Sequence, residues 1–111
     1  MAPAPKPFRI TPHLASPDFK AIARAALPHL EALCTRWLPQ GRRVGREWIC
    51  GNLRGEPGQS CRVNLITGHW ADFGTGEAGG DAIALAAAIH RISQAEAARR
   101  LAMMLGLEGP L

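Results

Sequence analysis

Ser60-Cys61-Arg62-Val63-Asn64-Leu65-Ile66-Thr67-Gly68-His69-Trp70-Ala71-Asp72-Phe73 is the stretch on which the fold turns. Two short runs of β-formers flank a Thr-Gly pair, which is the pattern of a hairpin. Leu65 to His69 fits a three-residue loop with Gly68 in the left-handed position that a bulged turn demands. That register pairs Leu65 with His69, Val63 with Ala71 and Cys61 with Phe73 on one largely apolar face. The opposite face then sets Asn64 against Trp70 and Arg62 against Asp72. A two-residue loop would instead put Val63 against Asp72, a poorer match.

Working outward, Val44 to Cys50 reads as a further strand, joined to the hairpin by the polar loop Gly51 to Gln59. Before it, Ser16-Pro17-Asp18 is a helix start: a capping hydroxyl, proline at the first helical position and an acid in the first turn. Phe19, Ile22, Ala23, Ala26 and Leu27 follow at helical spacing, and Leu30, Leu33, Cys34, Trp37 and Leu38 resume the stripe beyond Pro28. This predicts one helix kinked at Pro28, or two short ones. After the hairpin, the glycine-rich run 74–80 reads as a connection, and Asp81 as the cap of a buried helix ending at His90. Ser93-Gln94-Ala95-Glu96 is a capping box, Ala98, Leu101, Ala102 and Leu105 form a core stripe, and Gly106 stops the last helix. The expectation is an α+β domain over residues 16–111: an N-terminal helical segment, a small three-stranded antiparallel sheet and two C-terminal helices. Residues 1–15, rich in Pro and Ala, read as a flexible arm.

The chain of 111 residues suffices for one core. Apolar residues make up 47%, so wholesale disorder is not expected. The longest apolar run, Ala82 to Ile89, is too short for a bilayer. Three cysteines do not make a disulfide framework, and no signal peptide opens the chain, which points to a cytoplasmic setting. Lys and Arg number 13 against 9 Asp and Glu, a net charge of +4.

Six of those cations crowd between residues 36 and 62: Arg36, Arg42, Arg43, Arg46, Arg54 and Arg62, opposed by Glu47 and Glu56. All are arginine, which suits bidentate phosphate contacts and stacking on bases. Trp48 and Trp70 fall in the same β-region, and arginine interleaved with aromatic groups is what a sequence-tolerant single-strand binder uses. The competing reading is a solvated basic face with both tryptophans in the core. Cys34, Cys50 and Cys61, separated by 15 and 10 intervening residues with no histidine nearby, read as buried small hydrophobes rather than zinc ligands. The glycine run lacks the Lys-Ser or Lys-Thr of a phosphate loop, and no nucleophile, base and orienting acid stand in a recognisable context. No catalytic residue, metal or cofactor is assigned.

The run Thr67-Gly68-His69-Trp70-Ala71-Asp72-Phe73-Gly74-Thr75-Gly76-Glu77-Ala78-Gly79-Gly80-Asp81-Ala82-Ile83-Ala84-Leu85-Ala86-Ala87 resembles the N-terminal zinc-ribbon-like domain of phage and plasmid DNA primases and primase-helicases. Leu38 to Arg43, Ser60 to Leu65 and Ser93 to Leu101 extend the likeness over roughly residues 30 to 106. In that family the domain helps recognise the DNA template, and a separate domain polymerises. Its metal-bearing members hold zinc with a Cys-x-x-His and a Cys-x-x-Cys pair. Here Cys50 matches the first ligand, Leu53 stands where the histidine would, and residues 71–75 hold no cysteine. The resemblance therefore implies a metal-free relative. The expected function is a non-catalytic accessory or template-recognition module in a mobile element's replication, binding DNA, single-stranded by preference. Arg42, Arg43, Arg46, Arg54 and Arg62 would contact phosphates, and Trp70 and Trp48 would stack on bases. The alternative is a module that docks on a polymerase, primase or helicase, presenting Met103 or Met104.

Overall fold

The computed structural model describes residues 17–106, so the arm assigned to residues 1–15 and Ser16 lie outside the described residues. Asp18 caps the first helix: its Oδ1 accepts from the Ala21 amide at 3.1 Å. Helix α1 (Phe19–Ala26) and helix α2 (Leu30–Trp37) are joined by a single 3-10 turn, Leu27–His29, built on Pro28. The missing proline N–H is absorbed there because a short turn at a helix start needs no donor at that position.

The sheet has five antiparallel strands in sequential order rather than three: β1 (Arg42–Val44), β2 (Glu47–Cys50), β3 (Cys61–Asn64), β4 (Trp70–Asp72) and β5 (Glu77–Gly79). The predicted single strand from Val44 to Cys50 is split by a tight turn. Val44 pairs with Glu47, and Gly45 takes φ +62° at the first central position of the two-residue loop. Part of the glycine-rich connection becomes β5, aligned by the Asp72 carbonyl, which accepts from the Gly76 amide at 2.8 Å.

The hairpin between β3 and β4 differs from the predicted register by one residue. Val63 pairs with Trp70, Arg62 with Ala71 and Cys61 with Asp72. The loop holds four residues, closed by the Asn64 amide donating to the His69 carbonyl at 2.7 Å. Asn64 itself is the cause. Its Oδ1 accepts from the amides of Ile66 and Thr67 at 2.9 and 3.0 Å, and its carbonyl accepts from Gly68 at 2.8 Å. The side chain thus organises a wider loop than a bulged turn would. Gly68 does adopt positive φ, +86°, as the sequence predicts. A slip of one residue turns every β4 side chain over. Trp70 and Asp72 face inward, and Phe73 points to solvent instead of packing opposite Cys61.

Helix α3 (Ala82–His90) is capped by Asp81, whose carboxylate accepts from the Ala84 amide at 2.9 Å, and it is buried on almost every side. Helix α4 (Gln94–Met104) starts at Ser93, whose hydroxyl accepts from Glu96 N at 3.1 Å. Gly106, at φ +71°, ends it. The helices cover one face of the sheet. Leu30, Leu33, Leu38, Ile83, Leu85 and Leu101 form one apolar cluster with the inward Trp48, Cys61, Val63 and Trp70. Each such buried side chain contributes roughly 1.5–3 kcal/mol. No helix among the described residues is long and apolar enough to cross a membrane.

Candidate nucleic-acid interface

Strand alternation puts one cross-strand row on the face that the helices leave open: Arg42, Ile49, Arg62, Ala71 and Ala78, one from each strand in order. Ile49 is only 5% exposed yet stands outside the central apolar cluster. The neighbouring Arg42 and Arg62 lie on either side of it, and the aliphatic stems of arginine cover such apolar surface while their heads stay wet. The two arginines are separated by two strand spacings, about 10 Å. Beyond Arg62 the row ends in alanines, so the face flattens and a planar group can approach the backbone. Phe73, just past β4, is 72% exposed.

The predicted arginines do not form one patch. Arg42 and Arg62 share the open face. Arg62 reaches Glu47 of β2 at 3.2 Å. Arg46 is exposed at the β1–β2 turn, where its carbonyl accepts from the Leu65 amide at 2.8 Å. Arg43 alternates to the helical side and pairs with Glu31 of α2 at 2.6 Å. Arg54 lies in the 51–60 loop and pairs with Glu56 at 3.1 Å. The Asn52 amide, then the Arg54 guanidinium, hold the Glu56 carboxyl below its ordinary value. These are surface pairs whose contribution to stability is small. Arg42 and Arg46 make no ion pair among the described residues.

Both tryptophans belong to the core, which corrects their placement on a base-stacking surface. Trp48 is 7% exposed and donates from Nε1 to the Leu38 carbonyl at 3.1 Å. Trp70, 5% exposed, lies under Gly79, where an added Cβ would stand 2.6 Å from its Nε1. The glycine is required by that ring. Beside the sheet face the exposed aromatic side chain is Phe73, which the predicted register had turned inward. Its only sequence signal was the parity of the hairpin loop.

Asp72, expected opposite Arg62, is buried beside Cys61 and Glu77. Its Oδ1 accepts from the Gly74 amide at 2.9 Å, while Oδ2 has no hydrogen-bond partner among the described residues. The three cysteines are fully buried, as expected, but they converge. Cys50 and Cys61 are direct cross-strand partners, and Cys34 of α2 lies within electrostatic reach of both. Burial, then the charges of Cys50 and Glu31, pushes the Cys34 thiol up to about 12. The hydrogen bond with Cys50, followed by burial, raises Cys61 as well.

The zinc that metal-bearing members of the resembled family hold does not fit this arrangement. Leu53 is buried with no donor to offer, and Cys50 Sγ donates to the Asn52 carbonyl at 3.2 Å. Among the described residues no group of three or more His, Cys, Asp or Glu is placed to hold a metal ion. No family model, no curated protein and no solved structure matches this chain.

Proposed function

We propose that the chain is a non-catalytic DNA-binding module that takes single-stranded DNA across the open face of its sheet. Its role is that of an accessory or template-recognition part in the replication of a phage or plasmid. The observation that carries this reading is the row Arg42–Ile49–Arg62–Ala71–Ala78. It places guanidinium groups for phosphates beside a low platform for bases, with Phe73 exposed next to it. Arg46 extends the positive surface at the turn. Arg43 and Arg54, tied to Glu31 and Glu56, play a lesser part. The primase-like run from Thr67 to Ala87 is consistent with template recognition.

The test is fluorescence anisotropy with labelled single-stranded and duplex oligomers at low and near-physiological salt. Binding that prefers the single strand and falls with salt is expected. The double variant Arg42→Ala, Arg62→Ala weakens it for all sequences alike and flattens the logarithmic salt slope by about 1.4, at roughly 0.7 per phosphate. Phe73→Ala removes roughly 1–3 kcal/mol of single-strand affinity. Unchanged affinity in the double variant overturns the reading. A second reading, docking on a polymerase, primase or helicase, is favoured by the exposure of Met103 and Met104 on α4.

A further inference from the structure

On the helical side of the molecule, remote in composition from the sheet face, lies a cleft of about 400 Å³. Its lining comes from the end of α2, the end of α3, the following turn and one side of α4, with no strand residue among them. Ile89, Ile92 and Leu101 form an apolar floor, and Trp37 and Met104 make the walls. Arg36 and Arg100 stand in the same lining. Arg36 is exposed and forms no ion pair among the described residues. Arg100 gives its Nε to Glu96 at 2.9 Å and is half-exposed. His90 fixes the Trp37 wall: its Nδ1 hydrogen-bonds the Ala86 carbonyl at 3.0 Å, and the two rings meet edge to face with centroids 5.8 Å apart.

Helices α2 and α3 both end at this cleft, and cations in a last turn offset the helix dipole. That accounts for Arg36 as a cation near a helix end. It does not account for an apolar cleft of ligand-binding size, walled by a partly exposed methionine and an indole and flanked by two guanidinium groups. We propose that this cleft is a docking site for an acidic peptide segment of a protein partner. A large apolar side chain of that segment enters between Trp37 and Met104, and its carboxylates pair with Arg36 and Arg100. Methionine suits such a wall because its flexible thioether adapts to different apolar shapes. The site stands apart from the sheet and does not depend on DNA binding.

The probe is a fluorescein-labelled hexapeptide of four glutamates followed by Leu-Phe with a free carboxylate, titrated with the full chain at near-physiological salt. Saturable binding is expected. Arg36→Gln and Met104→Ser, both surface substitutions that keep the thermal unfolding of the wild-type chain, each weaken it about tenfold, or about 1.4 kcal/mol. Neither changes affinity for a single-stranded DNA oligomer, so this outcome is read separately from the DNA reading. Absence of peptide binding, equal binding of a hexaglutamate peptide, or full affinity in both variants overturns the proposal. Displacement of the peptide by the DNA oligomer reports one shared anion surface and overturns it too.

Discussion

On the inner face of the sheet, Trp48, Cys61, Val63, Trp70 and Asp72 are buried beneath the helices, while on the outer face Arg42, Ala78 and Phe73 stand in solvent. The two faces are built from alternate residues of the same few strands, so their difference is one of environment. Inward positions select for shape: Trp70 needs Gly79 above it, and the Trp48 indole needs the Leu38 carbonyl. Outward positions carry charge and small side chains, and Ile49 stands there between two arginines, outside the core cluster.

Truncating an aromatic ring on each face sharpens that contrast most. Trp48→Ala is expected to lose about 3–5 kcal/mol in urea-induced unfolding, because a large cavity opens and the indole hydrogen bond to Leu38 is lost. Phe73→Ala, outside the core, stays within about 0.5 kcal/mol of wild type. Comparable losses from both would break the distinction between the faces. Next in size is Gly79→Ala, where the new methyl meets the Trp70 ring and the Ala84 methyl at 2.6 and 2.7 Å. Overpacking of this kind costs about 1–3 kcal/mol and lowers the melting temperature, while an alanine at neighbouring position 78 is already accommodated on the outer side.

The last effect is electrostatic and appears only in alkali. The folded-state thiol of Cys34 is raised from 9.0 to about 12, so on alkaline titration the unfolded chain releases its proton first. The stability tied to the protonated, buried thiol is fully present below pH 9.0 and is lost as pH rises from about 9 to about 12. Unfolding measured across that range should show a falling stability that becomes less steep in Cys34→Ala. An identical slope would mean that Cys34 does not feel the core around it.

Local chemistry was readable where a residue acts on its own neighbours. Asp81 and Ser93 cap their helices because a short oxygen side chain reaches an amide three residues on. Gly68 and Gly106 sit at positive φ, where only glycine is unstrained. The division of the β-region was harder. Val44 to Cys50 looks continuous because a two-residue turn at Gly45-Arg46 interrupts it without any cluster of turn residues. In β5, Glu77-Ala78-Gly79 has no β-propensity, and its strand character comes from pairing with β4. For the candidate site, the arginines were visible by type and number, but their sorting between the open face, a helix partner and a loop was not.

By itself the sequence determined the α+β class, the helical segments on either side of the sheet with the Asp81 and Ser93 caps and the Gly106 stop, and a basic region made of arginine alone. Tertiary structure decided the register of β3 on β4, and with it which aromatic side chain meets solvent. The physical reason is that alternation along a strand has period two and says only which residues share a face. Which face goes inward depends on how many residues the loop consumes, and here the Asn64 side chain settles that count by bonding two loop amides. The gathering of Cys34, Cys50 and Cys61 is likewise a product of long-range packing, since their spacing along the chain carries no trace of it.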